Sequence, residues 1–312
     1  MEVRDLVDGV LGGDRRAVAR AISLVEDGGD GLEALSEGVF AHTGAATTVG
    51  LTGAPGVGKS TLATALVRAA RAYGRRVAVL AVDPTSPYTG GALLGDRVRM
   101  QEHATDADVF IRSMATRGHL GGMALAAPEA VRILDAAGYD LVMVETVGVG
   151  QAEVDVAAAT DTTLVVLAPG LGDAIQMAKA GILEVADVFV VNKADRDGAA
   201  EVVRELRQML HLGAARDRDP VVVSTVSTTG DGIDALWAEI VAHHEWSLAA
   251  GTLATKRRAR LLSEVESLAA ERFKVDVAGI LGADDALVQA LLERRTDPYR
   301  AAATLREAVG QG

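Results

Sequence analysis

The chain has 312 residues, of which 24% are charged and 49% are hydrophobic, and its formal net charge is −12 at pH 7. This acidity argues against nonspecific binding to nucleic acid or to an anionic membrane surface. Cysteine does not occur, which excludes disulfides, thiolate metal sites and thiol nucleophiles. No apolar run approaches the roughly 18 residues that span a bilayer, and the acidic start lacks the apolar core of a signal peptide. We therefore expect a cytoplasmic protein.

Residues 1–46 predict a helical extension in front of the main domain. Asp14 is a suitable N-cap for a helix that ends at Gly28, and a second helix follows. The apolar residues that recur at helical spacing are Val18, Ile22 and Val25 in the first of these helices and Leu32, Leu35 and Val39 in the second.

Residues 47–250 predict an α/β domain. Short, nearly continuous apolar runs alternate with helical stretches, which is typical of a mainly parallel sheet buried on both faces by helices. The predicted strands are residues 48–52, 77–82, 109–112, 140–145, 163–167, 188–192 and 221–224.

A glycine-rich motif separates the first predicted strand from a helix. Residues 53–61 read Gly-Ala-Pro-Gly-Val-Gly-Lys-Ser-Thr and fit the phosphate-loop pattern G-x-x-x-x-G-K-[ST]. Such a loop points backbone N–H groups at one anion, Lys59 reaches the β- and γ-phosphates, and Ser60 offers its hydroxyl to Mg²⁺. A ligand-free turn is the alternative, which the flanking elements disfavour. The predicted nucleotide contacts are Gly53, Ala54, Pro55, Gly56, Val57, Gly58, Lys59, Ser60 and Thr61.

The strand at 188–192 runs into Asn192-Lys193-Ala194-Asp195. The Asp195 carboxylate can accept two hydrogen bonds from the ring N–H and the exocyclic amine of guanine, a donor pair that adenine lacks. Asn192 is expected to tie this turn to the phosphate loop, and the Lys193 stem to cover the base. A helix-capping Asp195 is the alternative. Further guanine contacts are expected at Val226, Ser227 and Thr228.

Carboxylates at the ends of other predicted strands are the candidates for magnesium binding and catalysis. Glu145 ends a strand where most phosphate-loop proteins place an aspartate that holds Mg²⁺, and Gly148 is expected to approach the γ-phosphate. Asp83 and Asp96 are further candidate ligands. Catalysis is assigned to Lys59, Glu145 and Asp83. A solvated Glu145 and a helix-capping Asp96 are the alternatives.

Residues 251–312 are charged, amphipathic and without strand patterns. Such a helical tail either folds back on the core or pairs with a second copy of the chain.

Together these segments resemble the MeaB/MMAA-type GTPases, also called ArgK-like, over essentially the whole chain. The motifs that carry the resemblance are residues 53–61, 83–87 (Asp-Pro-Thr-Ser-Pro), 95–100, 114–122, 145–151 (Glu-Thr-Val-Gly-Val-Gly-Gln) and 192–195. The family acts as chaperones of adenosylcobalamin-dependent methylmalonyl-CoA mutase.

The resemblance implies a P-loop NTPase that hydrolyses GTP, with GDP as product, and that partners a methylmalonyl-CoA mutase. It also implies a homodimer joined through its C-terminal helices, Mg²⁺ held around Ser60, Asp83, Asp96 and Glu145, and a further switch at residues 169–179. One departure is visible, since Ser227 follows Val226 where the family usually has a Ser-Ala pair. A nickel-enzyme maturation GTPase, which the lack of cysteine disfavours, and a protein kinase of a transport system are the alternative functions.

Overall fold

The computed structural model describes residues 2–84, 103, 105–116, 123–146, 156, 158–170, 185–212 and 216–309, with the backbone alone at 83–84, 115–116 and 123–125. The chain divides into two compact units, Met1–Arg260 and Leu261–Gly312.

The first unit is built on one parallel sheet. Its strands, β1 to β7, are Thr47–Thr52, Val77–Pro84, Val109–Thr116, Leu141–Thr146, Thr162–Leu167, Val188–Asn192 and Val221–Thr225. They lie in the order β3-β2-β4-β1-β5-β6-β7, and every neighbouring pair is parallel. All the predicted strands are present, which confirms the predicted fold class. The largest difference is at β3, which continues beyond the predicted end at 112 to Thr116.

Helices cover both faces of this sheet. They are α1 (Val3–Leu11), α2 (Arg15–Asp27), α3 (Leu32–Phe40), α4 (Lys59–Ala72), α5 (Met123–Ala136), α6 (Ala199–Leu212) and α7 (Ile233–Ala249). The first three pack with α5 over β2, β3 and β4, and α4 and α7 cover the opposite face. Strands β4, β5 and β6 are buried along their whole length, as expected where helices shield both faces.

The N-terminal helices begin and end where the sequence indicates. The Asp14 side chain accepts a hydrogen bond from the backbone N–H of Arg16 at 2.8 Å, and Gly28 ends α2 with a φ of 62°. Helix α1 was not separately predicted. Its short apolar face, Leu6 and Val10, packs against the same core as α2.

From Ile233 onward the described residues form helices and turns only. After α7 come α8 (Thr252–Ala283), α9 (Asp285–Leu292) and α10 (Pro298–Val309). Within the described residues, no helix is both long and apolar enough to cross a membrane.

Ion pairs hold the first turns of α8 to the amino-terminal edge of the sheet. Arg257 donates two hydrogen bonds to the buried carboxylate of Asp161, at 3.1 and 2.7 Å. The Lys256 ammonium lies 3.3 Å from a carboxylate oxygen of Asp187, and Arg260 lies 3.5 Å from Asp161. We call these five residues the amino-edge clamp. The nucleotide loop predicted from the sequence lies at the other end of the strands, because it follows the carboxyl end of β1.

Candidate nucleotide site

The phosphate-loop motif forms the connection between β1 and α4. Gly53 has a φ of 140° and Gly58 a φ of 95°, conformations that glycine adopts without strain. A Cβ on Gly53 would overlap the backbone carbonyl oxygen of Val166 on β5, and a Cβ on Gly58 would lie 2.6 Å from Nδ2 of Asn192. The backbone therefore passes too close to its neighbours for any larger residue at either position.

Lys59 is the first residue of α4, and its side chain is buried. Its ammonium donates hydrogen bonds to the carbonyl oxygens of Gly53 at 2.6 Å and Ala54 at 3.2 Å. The positive charge is thus held against the loop at the N-terminus of a 14-residue helix, where the helix dipole also favours an anion. Pro55 and Gly56 form the exposed tip of the loop, and Thr61 lies in the first turn of α4.

Ser60 and Glu145 contact each other at the carboxyl ends of the strands. The Ser60 hydroxyl donates a hydrogen bond of 2.7 Å to Oε1 of Glu145, and both residues are buried. The parallel pairing of β1 with β4 sets Leu51 opposite Glu145, which brings the carboxylate beside the loop. A hydroxyl and a carboxylate are oxygen donors of the kind that Mg²⁺ prefers, so this pair fits a magnesium ion.

The other predicted magnesium ligands are only partly described. Asp83 lies near the carboxyl end of β2, which pairs with β4 on one side and β3 on the other, so its backbone is at the same edge of the sheet as Glu145. Asp96 and Gly148 lie outside the described residues, as do the segments 85–100, 117–122, 147–151 and 171–179.

The predicted base-recognition turn follows β6. Lys193 has a φ of 57°, and its ammonium donates a 2.6 Å hydrogen bond to the carbonyl oxygen of Gly56 in the phosphate loop. The backbone N–H of Ala194 donates to the carbonyl oxygen of Thr225 at 3.0 Å, which fixes the turn beside β7. Asp195 is exposed in this turn, where its carboxylate can accept hydrogen bonds from a ligand.

Asn192 joins the two loops. Its side-chain N–H donates to the carbonyl oxygen of Val57 at 2.9 Å, while its Oδ1 accepts hydrogen bonds from Thr225, the last residue of β7, and from Ser227, two residues later. The predicted link between this asparagine and the phosphate loop is therefore present in the structure as a direct hydrogen bond.

The three further residues predicted to contact guanine lie in different surroundings. Thr228 is exposed, and Val226 is half-buried with its N–H bonded to the carbonyl oxygen of Asp231 at 2.9 Å. Ser227 is buried, and its hydroxyl donates to Oδ1 of Asn192 at 2.7 Å. Sequence reasoning did not identify this contact, nor the one from the Thr225 hydroxyl at 3.2 Å. The signal available was a hydroxyl residue at the end of the strand next to β6 and a second one two positions later.

Comparison with known proteins supplies independent findings. Residues 18–279 match the family model described as methylmalonyl-CoA mutase-associated GTPase MeaB. A protein of Pyrococcus horikoshii that is named as a GTPase is 47% identical over 311 residues, covering 98% of each chain. The mitochondrial methylmalonic aciduria type A homolog of Mus musculus is 36% identical over 272 residues, covering 81% of this chain and 66% of its own. A solved structure of LAO/AO transport system kinase matches with a TM-score of 0.72 and 27% identity, covering 99% of this chain and 97% of that one.

Proposed function

The chain belongs to the MeaB family of methylmalonyl-CoA mutase-associated GTPases, and on that premise we propose that its hydrolysis of GTP to GDP and phosphate serves a cobalamin-dependent acyl-CoA mutase. In this role the GTPase is a chaperone that gates cofactor loading and protects or reactivates the mutase. Methylmalonyl-CoA mutase is the proposed client.

The family match supports the mutase role, and the structural observation that carries the nucleotide site it requires is the hydrogen bond between Asn192 and the carbonyl oxygen of Val57, at 2.9 Å. It joins the turn that holds Asp195 to the loop that leads into Lys59. A purine and a triphosphate belonging to one ligand would contact both loops, so the linkage supports one continuous nucleotide site.

The proposed chemistry is phosphoryl transfer, in which a protein mainly positions groups and neutralises charge. Lys59 and the amides at the start of α4 would hold the β- and γ-phosphate oxygens. Ser60 and Glu145, with Asp83 and Asp96, would hold Mg²⁺, which when bound neutralises charge on the same oxygens. Gly148 would lie beside the γ-phosphate. We assign no residue to position the attacking water, so we expect slow intrinsic hydrolysis that a mutase partner accelerates.

Guanine selection is assigned to the exposed carboxylate of Asp195. Its two oxygens match the ring N–H and amine of guanine, whereas adenine offers no such pair and would leave the carboxylate without its partners. The Lys193 stem, which is already directed at Gly56 of the phosphate loop, would lie along the base.

We further propose that the chain is a homodimer joined by its C-terminal helices. In α8, Leu261, Val265, Leu268 and Val275 recur at intervals of four, three and seven residues, and each is at least 41% exposed. An exposed apolar stripe of this kind is typical of a helix that packs against a partner. The accompanying domain division is 1–46 for the extension, 47–250 for the GTPase domain and 251–312 for the dimerisation region.

Binding and rate measurements with a methylmalonyl-CoA mutase test the chaperone role. We expect the mutase to co-purify with this chain, in amounts that differ between GDP and a nonhydrolysable GTP analogue, and to raise the GTPase rate. The Lys59→Ala variant is the control for dependence on the nucleotide. A mutase that neither binds nor changes the rate would contradict the chaperone role while leaving the GTPase assignment intact.

One alternative is favoured by a specific observation, because a solved relative over nearly the whole chain is named as a transport system kinase. Incubation with γ-labelled GTP and the candidate transport protein distinguishes the two functions, since a kinase transfers the label to protein and a GTPase releases it as phosphate. Maturation of a nickel enzyme is less favoured. The sequence has no cysteine, and the described part of the chain holds no group of three metal-binding side chains.

A further inference from the structure

Ser227 makes a contact that base recognition does not require. Its hydroxyl donates to Oδ1 of Asn192 at 2.7 Å, and its backbone N–H donates to the same oxygen at 3.2 Å. The Thr225 hydroxyl is the third donor, at 3.2 Å. Asn192, Thr225 and Ser227 are all buried, so water does not readily replace a lost partner.

These donors fix which way the Asn192 amide faces. A side-chain amide accepts hydrogen bonds only at its oxygen and donates them only at its nitrogen. The backbone N–H of Ser227 cannot reverse its role, so the oxygen faces Ser227 and the nitrogen faces Val57. The nitrogen donates to the Val57 carbonyl oxygen at 2.9 Å and packs against Gly58, where an added Cβ would lie 2.6 Å from it.

The sheet register creates this arrangement. Strands β6 and β7 pair in parallel with Asn192 opposite Thr225, so the residues that follow Thr225 pass beside the Asn192 side chain. The turn is closed by the bridge between Val226 and Asp231. Where the family usually has a Ser-Ala pair, this chain has Val226 and then Ser227, so the serine hydroxyl comes from the second position of the pair.

We propose that Ser227 is a positioning residue for the nucleotide, acting through Asn192 on the phosphate loop, and that its side chain does not contact the base. The inference deepens the proposed function and depends on its nucleotide site. It predicts that the Ser227 hydroxyl affects the affinity for the phosphates of any nucleotide, whatever the substituents on the base.

The test measures dissociation constants for GDP and for 2-aminopurine riboside diphosphate, which is fluorescent, keeps the exocyclic amine and lacks both the 6-oxo group and the ring N–H of guanine. In Ser227→Ala we expect both dissociation constants to rise by the same factor, at most about fivefold, which is the limit reached when the free energy of one ordinary hydrogen bond is lost from the nucleotide-bound state. Ser227→Thr keeps the hydroxyl and should restore most of the affinity. Thr225→Val removes a longer contact on the same oxygen and should give a smaller rise, which provides a second reading if Ser227→Ala folds poorly.

Ser224→Ala is the matched control, because it removes a serine hydroxyl from an exposed position in β7 and should leave both constants unchanged. An unchanged GDP constant in both Ser227→Ala and Thr225→Val would overturn the inference, and so would a loss confined to GDP, which indicates direct contact with the base. If the unmutated chain binds neither nucleotide, the proposed nucleotide site itself fails and this inference with it.

Discussion

Replacing Asp161 with asparagine should destabilise the first unit strongly. The Asp161 side chain is 1% exposed and bonds Arg257 at 2.7 Å, so the isosteric change removes a buried negative charge and leaves the guanidinium without its ionic partner. Breaking a buried ion pair from one side typically costs about 3–5 kcal/mol. Arg257 is 27% exposed and recovers part of its hydration, so we expect a loss of about 2–3 kcal/mol, or roughly 5–10 °C in Tm.

The assay is thermal unfolding followed by circular dichroism at neutral pH. Glu201→Gln is the matched control, because it makes the same carboxylate-to-amide change in an exposed ion pair with Arg204 at 3.4 Å. An exposed pair of this kind contributes about 0.5 kcal/mol or less to the free energy of unfolding. If Asp161→Asn melted within about 2 °C of the unmodified protein, the amino-edge clamp would not stabilise the fold as we argue.

The pH dependence of unfolding gives a second test of how much the Asp161 carboxylate stabilises the fold. Burial alone raises the pKa of Asp161, but hydrogen bonds from Arg257 and the charges of Arg257 and Arg260 outweigh it and lower the pKa below 3.8. The pKa of Asp161 is lower in the folded protein than in the unfolded chain. Its ionised carboxylate therefore contributes its full stabilisation at pH values above the pKa of the unfolded chain, and this stabilisation is lost as the pH falls through the pKa of the folded protein. The stability difference between the unmodified chain and Asp161→Asn should therefore be constant above about pH 5 and narrow below about pH 4. A difference that grows towards acid would contradict the sign.

The remaining predictions concern the nucleotide site and the dimer. Lys59→Ala should lower kcat by about 100- to 1,000-fold, as for the loss of a key electrostatic donor; a near-normal rate in a phosphate-release assay would remove Lys59 from the mechanism. Asp195→Asn should reduce the preference for GTP over ATP in competition binding, since it replaces an acceptor oxygen with a donor, and an unchanged preference would refute the assigned role. Leu268→Glu places a charge in the exposed stripe of α8 and should shift the mass measured by light scattering from dimer to monomer, whereas a stable dimer would exclude that stripe as the interface.

Local patterns were sufficient to predict the strands of the sheet, though not their order. The apolar runs of β4, β5 and β6 are buried throughout, so their composition alone distinguishes them from half-exposed strands. Helix α1 was harder to predict from the sequence, because its nine residues include Gly9 and only two buried positions, Leu6 and Val10. A helix this short is stabilised mainly by tertiary packing, which a single-sequence pattern does not report.

The candidate site likewise has parts that the sequence predicts and parts that it does not. The phosphate loop and the Asn192–Asp195 turn are contiguous motifs whose residue types can be read directly from the sequence. The contact of Ser227 with Asn192 joins residues 35 positions apart. The contact of Arg257 with Asp161, which lies outside the site at the opposite ends of the strands, joins residues 96 positions apart. They depend on the pairing of β6 with β7 and on where α8 begins, and strand order cannot be obtained from local spacing.

Isothermal titration calorimetry of the purified chain with GTP, GDP and ATP in the presence of Mg²⁺ tests the central claim most directly. We predict that GTP and GDP each bind at one site per chain and that ATP binds far more weakly. No detectable binding of either guanine nucleotide would contradict the site, and the proposed functions that depend on it.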